Sequence, residues 1–76
     1  MKLTIKQAML LEAIEYFINE NGYSPTVREL SKILNIDIKP VFEKLIILEN
    51  KGYISTVNGK ARTIKVLKHI ESDEKV

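Results

Sequence analysis

The sequence predicts a mostly α domain of three helices closed by a small β-hairpin. Three observations carry that reading. Two four-residue capping boxes, Thr4-Ile5-Lys6-Gln7 and Thr26-Val27-Arg28-Glu29, mark two helix starts. A tight turn at Asn35-Ile36-Asp37 separates the second helix from a third. After Gly52 the helical period gives way to two runs rich in β-branched and aromatic residues, with Asn58-Gly59 between them.

The first helix follows from its box. The Thr4 hydroxyl can accept an amide at the helix start while the Gln7 side chain reaches back. Leu10, Leu11, Ile14, Phe17 and Ile18 then recur at helical spacing, with Glu12, Glu15 and Asn19 on the far side. Asn21-Gly22 ends the helix, because glycine accepts the left-handed conformation of a C-terminal cap. Tyr23-Ser24-Pro25 is read as an extended connector. The second box opens a short helix with Val27, Leu30, Ile33 and Leu34 inward and Arg28 and Lys32 outward. Asp37 caps the third helix. Pro40 is tolerated there because its missing amide falls in the unpaired first turn. Val41, Leu45 and Leu48 form the inward stripe, and Lys51-Gly52 closes the helix. Two strands are expected over residues 53–57 and 62–67. The domain is expected over residues 1–70, with residues 71–76 a flexible polar tail.

Helix, helix, short turn, helix and hairpin is the order of a winged helix-turn-helix. Such units place the third helix in the major groove of double-stranded DNA, which an α-helix fits, and lay the wing on the backbone. Lys60 and Arg62 on the wing are then candidate phosphate contacts, with Asn58 at its turn. Ser24, Thr26 and Arg28, at the start of the second helix, are candidates for a phosphate held by free amides and hydroxyls.

Composition limits the alternatives. A chain of 76 residues allows one small domain, and a 45% hydrophobic content supplies its core. The absence of Cys removes disulfides, thiol nucleophiles and thiolate zinc sites, and the single His69 cannot form a multi-histidine metal site. No apolar run reaches the roughly 20 residues of a membrane span, and no signal peptide opens the chain, so a cytoplasmic domain without membrane contact is expected. No glycine-rich phosphate loop, activated nucleophile or carboxylate cluster is present. The expectation is therefore a non-enzyme with no cofactor, no metal and no small-molecule substrate. The net charge of +2 conceals a basic middle. Residues 23–70 hold nine bases (Arg28, Lys32, Lys39, Lys44, Lys51, Lys60, Arg62, Lys65 and Lys68) against four acids (Glu29, Asp37, Glu43 and Glu49). Both flanks are net acidic. A basic segment coinciding with the helix-turn-helix and wing suits a polyanionic partner.

Particular stretches resemble the N-terminal DNA-binding domain of the LexA repressor family: LTIKQ at the first helix start, NGYSPTVREL across the connector, LENKGYI at the end of the third helix and STVNGKARTIKVL in the wing. The resemblance implies a sequence-specific repressor domain, of the kind that governs the SOS response, binding short inverted repeats as a homodimer. In that family a self-cleaving serine protease domain follows and supplies dimerisation. None of its residues can be carried onto this chain, so either a longer protein holds them or a stand-alone relative dimerises otherwise.

The outward side of the third helix departs from the family pattern. Lys39, Glu43, Ile46 and Asn50 face out, with Ile38 and Phe42 on one flank and Ile47 on the other. Lys39, Phe42, Glu43 and Ile46 are the candidate base-reading residues. Glu43 can accept a hydrogen bond from cytosine, and an Ile or Phe can pack on a thymine methyl. The same apolar stripe suits a winged-helix protein-interaction module, which is the alternative reading. Ile5, Met9 and Tyr16, on the outer side of the first helix, are a second candidate dimer patch. Tyr23 is expected under the connector, and His69 on the surface without a site role.

Overall fold

The computed structural model describes residues 3–57 and 59–69. Three helices, α1 (Ile5–Asn21), α2 (Val27–Leu34) and α3 (Ile38–Asn50), precede two strands, β1 (Ile54–Ser55) and β2 (Lys65–Val66). The strands pair antiparallel, with Ile54 opposite Val66 and Ser55 opposite Lys65. This is the winged helix-turn-helix order.

Both capping boxes form. Thr4 Oγ1 accepts from the Gln7 amide at 3.1 Å, and Gln7 Oε1 accepts from the Thr4 amide at 3.1 Å. Thr26 and Glu29 repeat the exchange at 3.1 and 2.9 Å. Asp37 sits at the N-cap of α3 with extended backbone, yet its side chain makes no capping bond. The third residue of α3 is Pro40, which has no amide to offer such a cap.

The helix ends are equally specific. Gly22 ends α1 at φ +79°, and Asn35 takes the left-handed conformation after α2 at φ +57°. There the Ile36 amide returns to Ser31 and the Asn35 amide to Lys32, a Schellman closure. The same pair of bonds, Tyr53 to Leu48 and Gly52 to Glu49, ends α3. These closures set the short α2–α3 turn and the entry into the wing.

The core gathers Leu10, Leu11 and Ile14 of α1, Leu30 of α2, and Val41, Leu45 and Leu48 of α3 with Tyr53, Ile54 and Ile64 of the wing base. Phe17 and Ile18 continue the α1 stripe half-buried. One inward assignment is corrected: Ile33 is 50% exposed. An eight-residue helix packed between α1 and α3 has one narrow inward face, and Leu30 fills it while Val27 and Leu34 flank it.

The strands are also shorter than the sequence pattern suggests. Arg62 lies at φ +57°, outside extended backbone. The Thr63 hydroxyl takes the Val57 amide at 3.0 Å, so a side chain replaces the next ladder bond. Asn58 and residues 70–76, including the expected tail, lie outside the described residues. His69 Nδ1 meets the Glu15 carboxylate at the surface. No helix among the described residues is long and apolar enough to cross a membrane.

Candidate nucleic-acid interface

An open cleft of about 530 Å³ runs between the start of α2, the outer face of α3 and the wing. Pro25, Thr26, Val27 and Arg28 form one wall, and Ile38, Phe42, Ile46 and Glu49 form the floor. Thr56, Val57, Gly59 and Lys60 form the other wall, which Arg62 and Thr63 continue toward the base of the wing. The Lys60 amide returns to the Val57 carbonyl, and Thr63 Oγ1 lies 3.2 Å from the Lys60 carbonyl, so the wing loop is knitted together by Thr63. Thr56 Oγ1 donates to Glu49 at 3.3 Å and ties the wing back to α3.

Of the sequence-derived candidates, the cleft brings together Thr26, Arg28, Phe42, Ile46, Lys60 and Arg62. Lys39 and Glu43 are exposed on α3 beside it. Phe42 and Ile46 are 55% and 53% exposed, and Ile38 is 40% exposed, so the apolar stripe does face solvent. Asn58 lies outside the described residues.

Two candidates sit differently from the sequence expectation. Ser24 is buried. Its hydroxyl accepts from the Ile64 amide at 3.0 Å and donates to the Pro25 carbonyl at 3.1 Å. That hydroxyl joins the connector to the wing. Arg62 is 41% exposed at its side chain, yet both terminal nitrogens of its guanidinium are engaged. Nη1 donates to the Ser24 carbonyl at 3.0 Å and to Glu29 Oε1 at 3.1 Å, and Nη2 donates to Glu29 Oε2 at 2.9 Å. The guanidinium also stacks 4.8 Å from the Tyr23 ring centroid. Tyr23, half-exposed, rests edge-on against Phe17 at 5.7 Å.

The charges respond to this geometry. The Arg62 hydrogen bonds, followed by the Thr26 amide, hold the Glu29 carboxyl below the usual carboxylate range. The bonds to Glu29 raise the Arg62 guanidinium further above its already high value. Arg28, Lys60 and Arg62 are all exposed cations of the cleft, but Arg62 alone of the three is paired with a carboxylate among the described contacts.

Sequence reading missed Glu29 and Tyr23 as wing supports and Val57 and Gly59 as cleft residues. The local pattern reads Glu29 as a capping residue, and its second partner lies 33 positions away. The β-branched run reads Val57 as part of a strand, whereas β1 ends at Ser55.

The chain matches the LexA DNA binding domain family over residues 1–63. It is 43% identical over 70 residues to the LexA repressor of Thermotoga neapolitana, covering 92% of this chain and 36% of that protein. The LexA repressor of Thermosipho melanesiensis is 38% identical over 71 residues, with 93% and 36% covered. That of Leptospira biflexa is 38% identical over 66 residues, with 87% and 33% covered. The chain thus spans about a third of the length of the curated relatives it matches. With the fold, the cleft and the sequence match in agreement, the chain belongs to the LexA DNA-binding-domain family.

Proposed function

We infer that this chain is the sequence-specific double-stranded DNA-binding domain of a LexA-like transcriptional repressor. The outer face of α3 enters the major groove, where Lys39, Phe42, Glu43 and Ile46 meet base edges. Thr26 and Arg28 on one wall of the cleft and Lys60 on the other lie against the flanking backbones. A second copy on the other half of an inverted repeat completes the recognition, since two-fold protein symmetry matches operator symmetry.

The observation that carries this reading is the cleft itself. It is open, its floor is a helix face with no layer over it among the described residues, and exposed cations stand on both walls. Selection from random duplexes at two salt concentrations tests it. A single enriched half-site is expected, and Lys60→Ala should then weaken binding to all duplexes and lower the salt slope by about 0.9 for the lost phosphate contact. No enrichment at either salt concentration refutes the reading.

The apolar stripe of Ile38, Phe42 and Ile46 supports a second reading, a protein-interaction module on the same fold. Under it, light scattering detects a homotypic or partner complex that Phe42→Glu abolishes, and no duplex binds. Sequence-specific duplex binding by the wild-type domain rejects it.

A further inference from the structure

We propose that Arg62 is a positioning residue which, clamped by Glu29, fixes the wing against the start of α2 instead of contacting phosphate. The proposal rests on reading the cleft as a nucleic-acid interface and assigns how the spacing between its two walls is set.

Four observations converge on it. First, the Arg62–Glu29 contact is a bidentate fork, the geometry that separates arginine from lysine. Second, the Glu29 oxygen in that fork also accepts the Thr26 amide at 2.9 Å, so one carboxylate both begins α2 and holds the wing. Third, Arg62 adopts φ +57°, a conformation uncommon for a residue with a Cβ. Such a conformation persists where surrounding contacts over-determine it. Those contacts are the carbonyl of Ser24, the carboxylate of Glu29 and the ring of Tyr23. Fourth, two residues further on, the Ile64 amide is seated on the Ser24 hydroxyl. The wing is therefore fastened twice to the connector that leads into α2.

The consequence is geometric. Thr26 and Arg28 stand immediately before and after the start of α2, and Lys60 stands two residues before Arg62 on the wing. A fixed Arg62–Glu29 joint fixes the separation of these walls before any duplex arrives. Preorganisation of that kind raises affinity by lowering the cost of ordering the contact surface. Because the Arg62 charge is already matched by Glu29, it neutralises no phosphate and adds no counterion release on binding, so the salt slope does not depend on it.

Three variants of the 76-residue chain test this, with Arg62→Lys keeping the charge but not the fork and Glu29→Gln keeping an oxygen for the Thr26 amide. Each is read by duplex affinity across a salt series and by hydrogen exchange of the Ile64 amide in the free domain. Arg62→Ala and Arg62→Lys should each weaken binding about tenfold with the wild-type salt slope. Glu29→Gln should also weaken binding, although removing a negative charge near a polyanion ordinarily strengthens it. Ile64 exchange should accelerate in all three. Wild-type affinity in Arg62→Lys, together with a slope reduced by about 0.9 in Arg62→Ala, would make Arg62 a phosphate contact and overturn the proposal. Tighter binding by Glu29→Gln would overturn it as well. If the wild-type chain binds no duplex, the interface reading fails by itself, and unchanged Ile64 exchange in the variants then refutes the positioning role independently.

Discussion

At the start of α1, the Gln7 side-chain oxygen takes the Thr4 amide and, at 2.9 Å, the Lys51 ammonium from the end of α3. At the start of α2, the Glu29 carboxylate takes the Thr26 amide and the Arg62 guanidinium from the wing. The two boxes share a plan: the third helical residue accepts a backbone amide and recruits a cation from later in the chain. They differ in charge and burial. Gln7 is a neutral, buried amide joining two helices of the body. Glu29 is a partly exposed carboxylate joining the body to its projecting wing, with 34% of its side chain accessible. The amide needs no ionisation to hold its partner. The carboxylate gains from a charge-assisted bond but depends on remaining ionised. The helical body and the wing are thus secured by the same local motif with different sensitivity to acid and salt.

The largest effects should leave this comparison untouched. Leu11 and Leu30 are fully buried, one on each helix. Leu11→Ala and Leu30→Ala should each cost about 2–5 kcal/mol in denaturant unfolding. A much smaller loss at Leu30 would mean that α2 is held by its end contacts and not by the core.

Next come the caps. Thr4→Ala and Thr26→Ala remove equivalent bonds to the third helical amide, and each should cost about 1 kcal/mol. Equal stability losses with a DNA-affinity loss confined to Thr26→Ala would sharpen the division between body and interface. Equal affinity losses would break it.

The smallest effect is the acid response. With its folded value depressed, Glu29 contributes stability fully above its ordinary value of 4.5, and the contribution disappears as pH falls through the lower folded value. The difference in urea midpoint between the wild type and Glu29→Gln should therefore be largest near neutrality and shrink as acid protonates the carboxylate below its ordinary range. Gln7 has no such titration. A gap that persists undiminished in acid would show that the carboxylate charge is not what holds Arg62.

Much of this fold was legible because its signals are local. Thr4 with Gln7 and Thr26 with Glu29 announce helix starts within four residues. Gly22 and Gly52 announce two ends, and Val41, Leu45 and Leu48 face inward as their spacing demands. Ile33 was misread because periodicity places a residue on a helix without saying how wide the covered face is. The wing strands were overextended because β-branched composition does not reveal that Thr63 satisfies Val57 with a side chain. The site was less legible for the same reason at longer range. Ser24 and Arg62 carry residue types suited to phosphate, but their partners Ile64 and Glu29 lie 40 and 33 positions away. Nothing in the local pattern announces those bonds. Arg28, Lys60 and Phe42 were readable as exposed because no competing partner claims them among the contacts described.

We infer that α3, the start of α2 and the wing form one nucleic-acid-binding surface. Backbone amide shifts recorded while a selected duplex is titrated into the domain test it most directly. Perturbations are expected at residues 26–28, 39–46 and 56–60, with the outer face of α1 around Ile5, Met9 and Tyr16 unmoved. Perturbations confined to that α1 face, or none at saturating duplex, would contradict it.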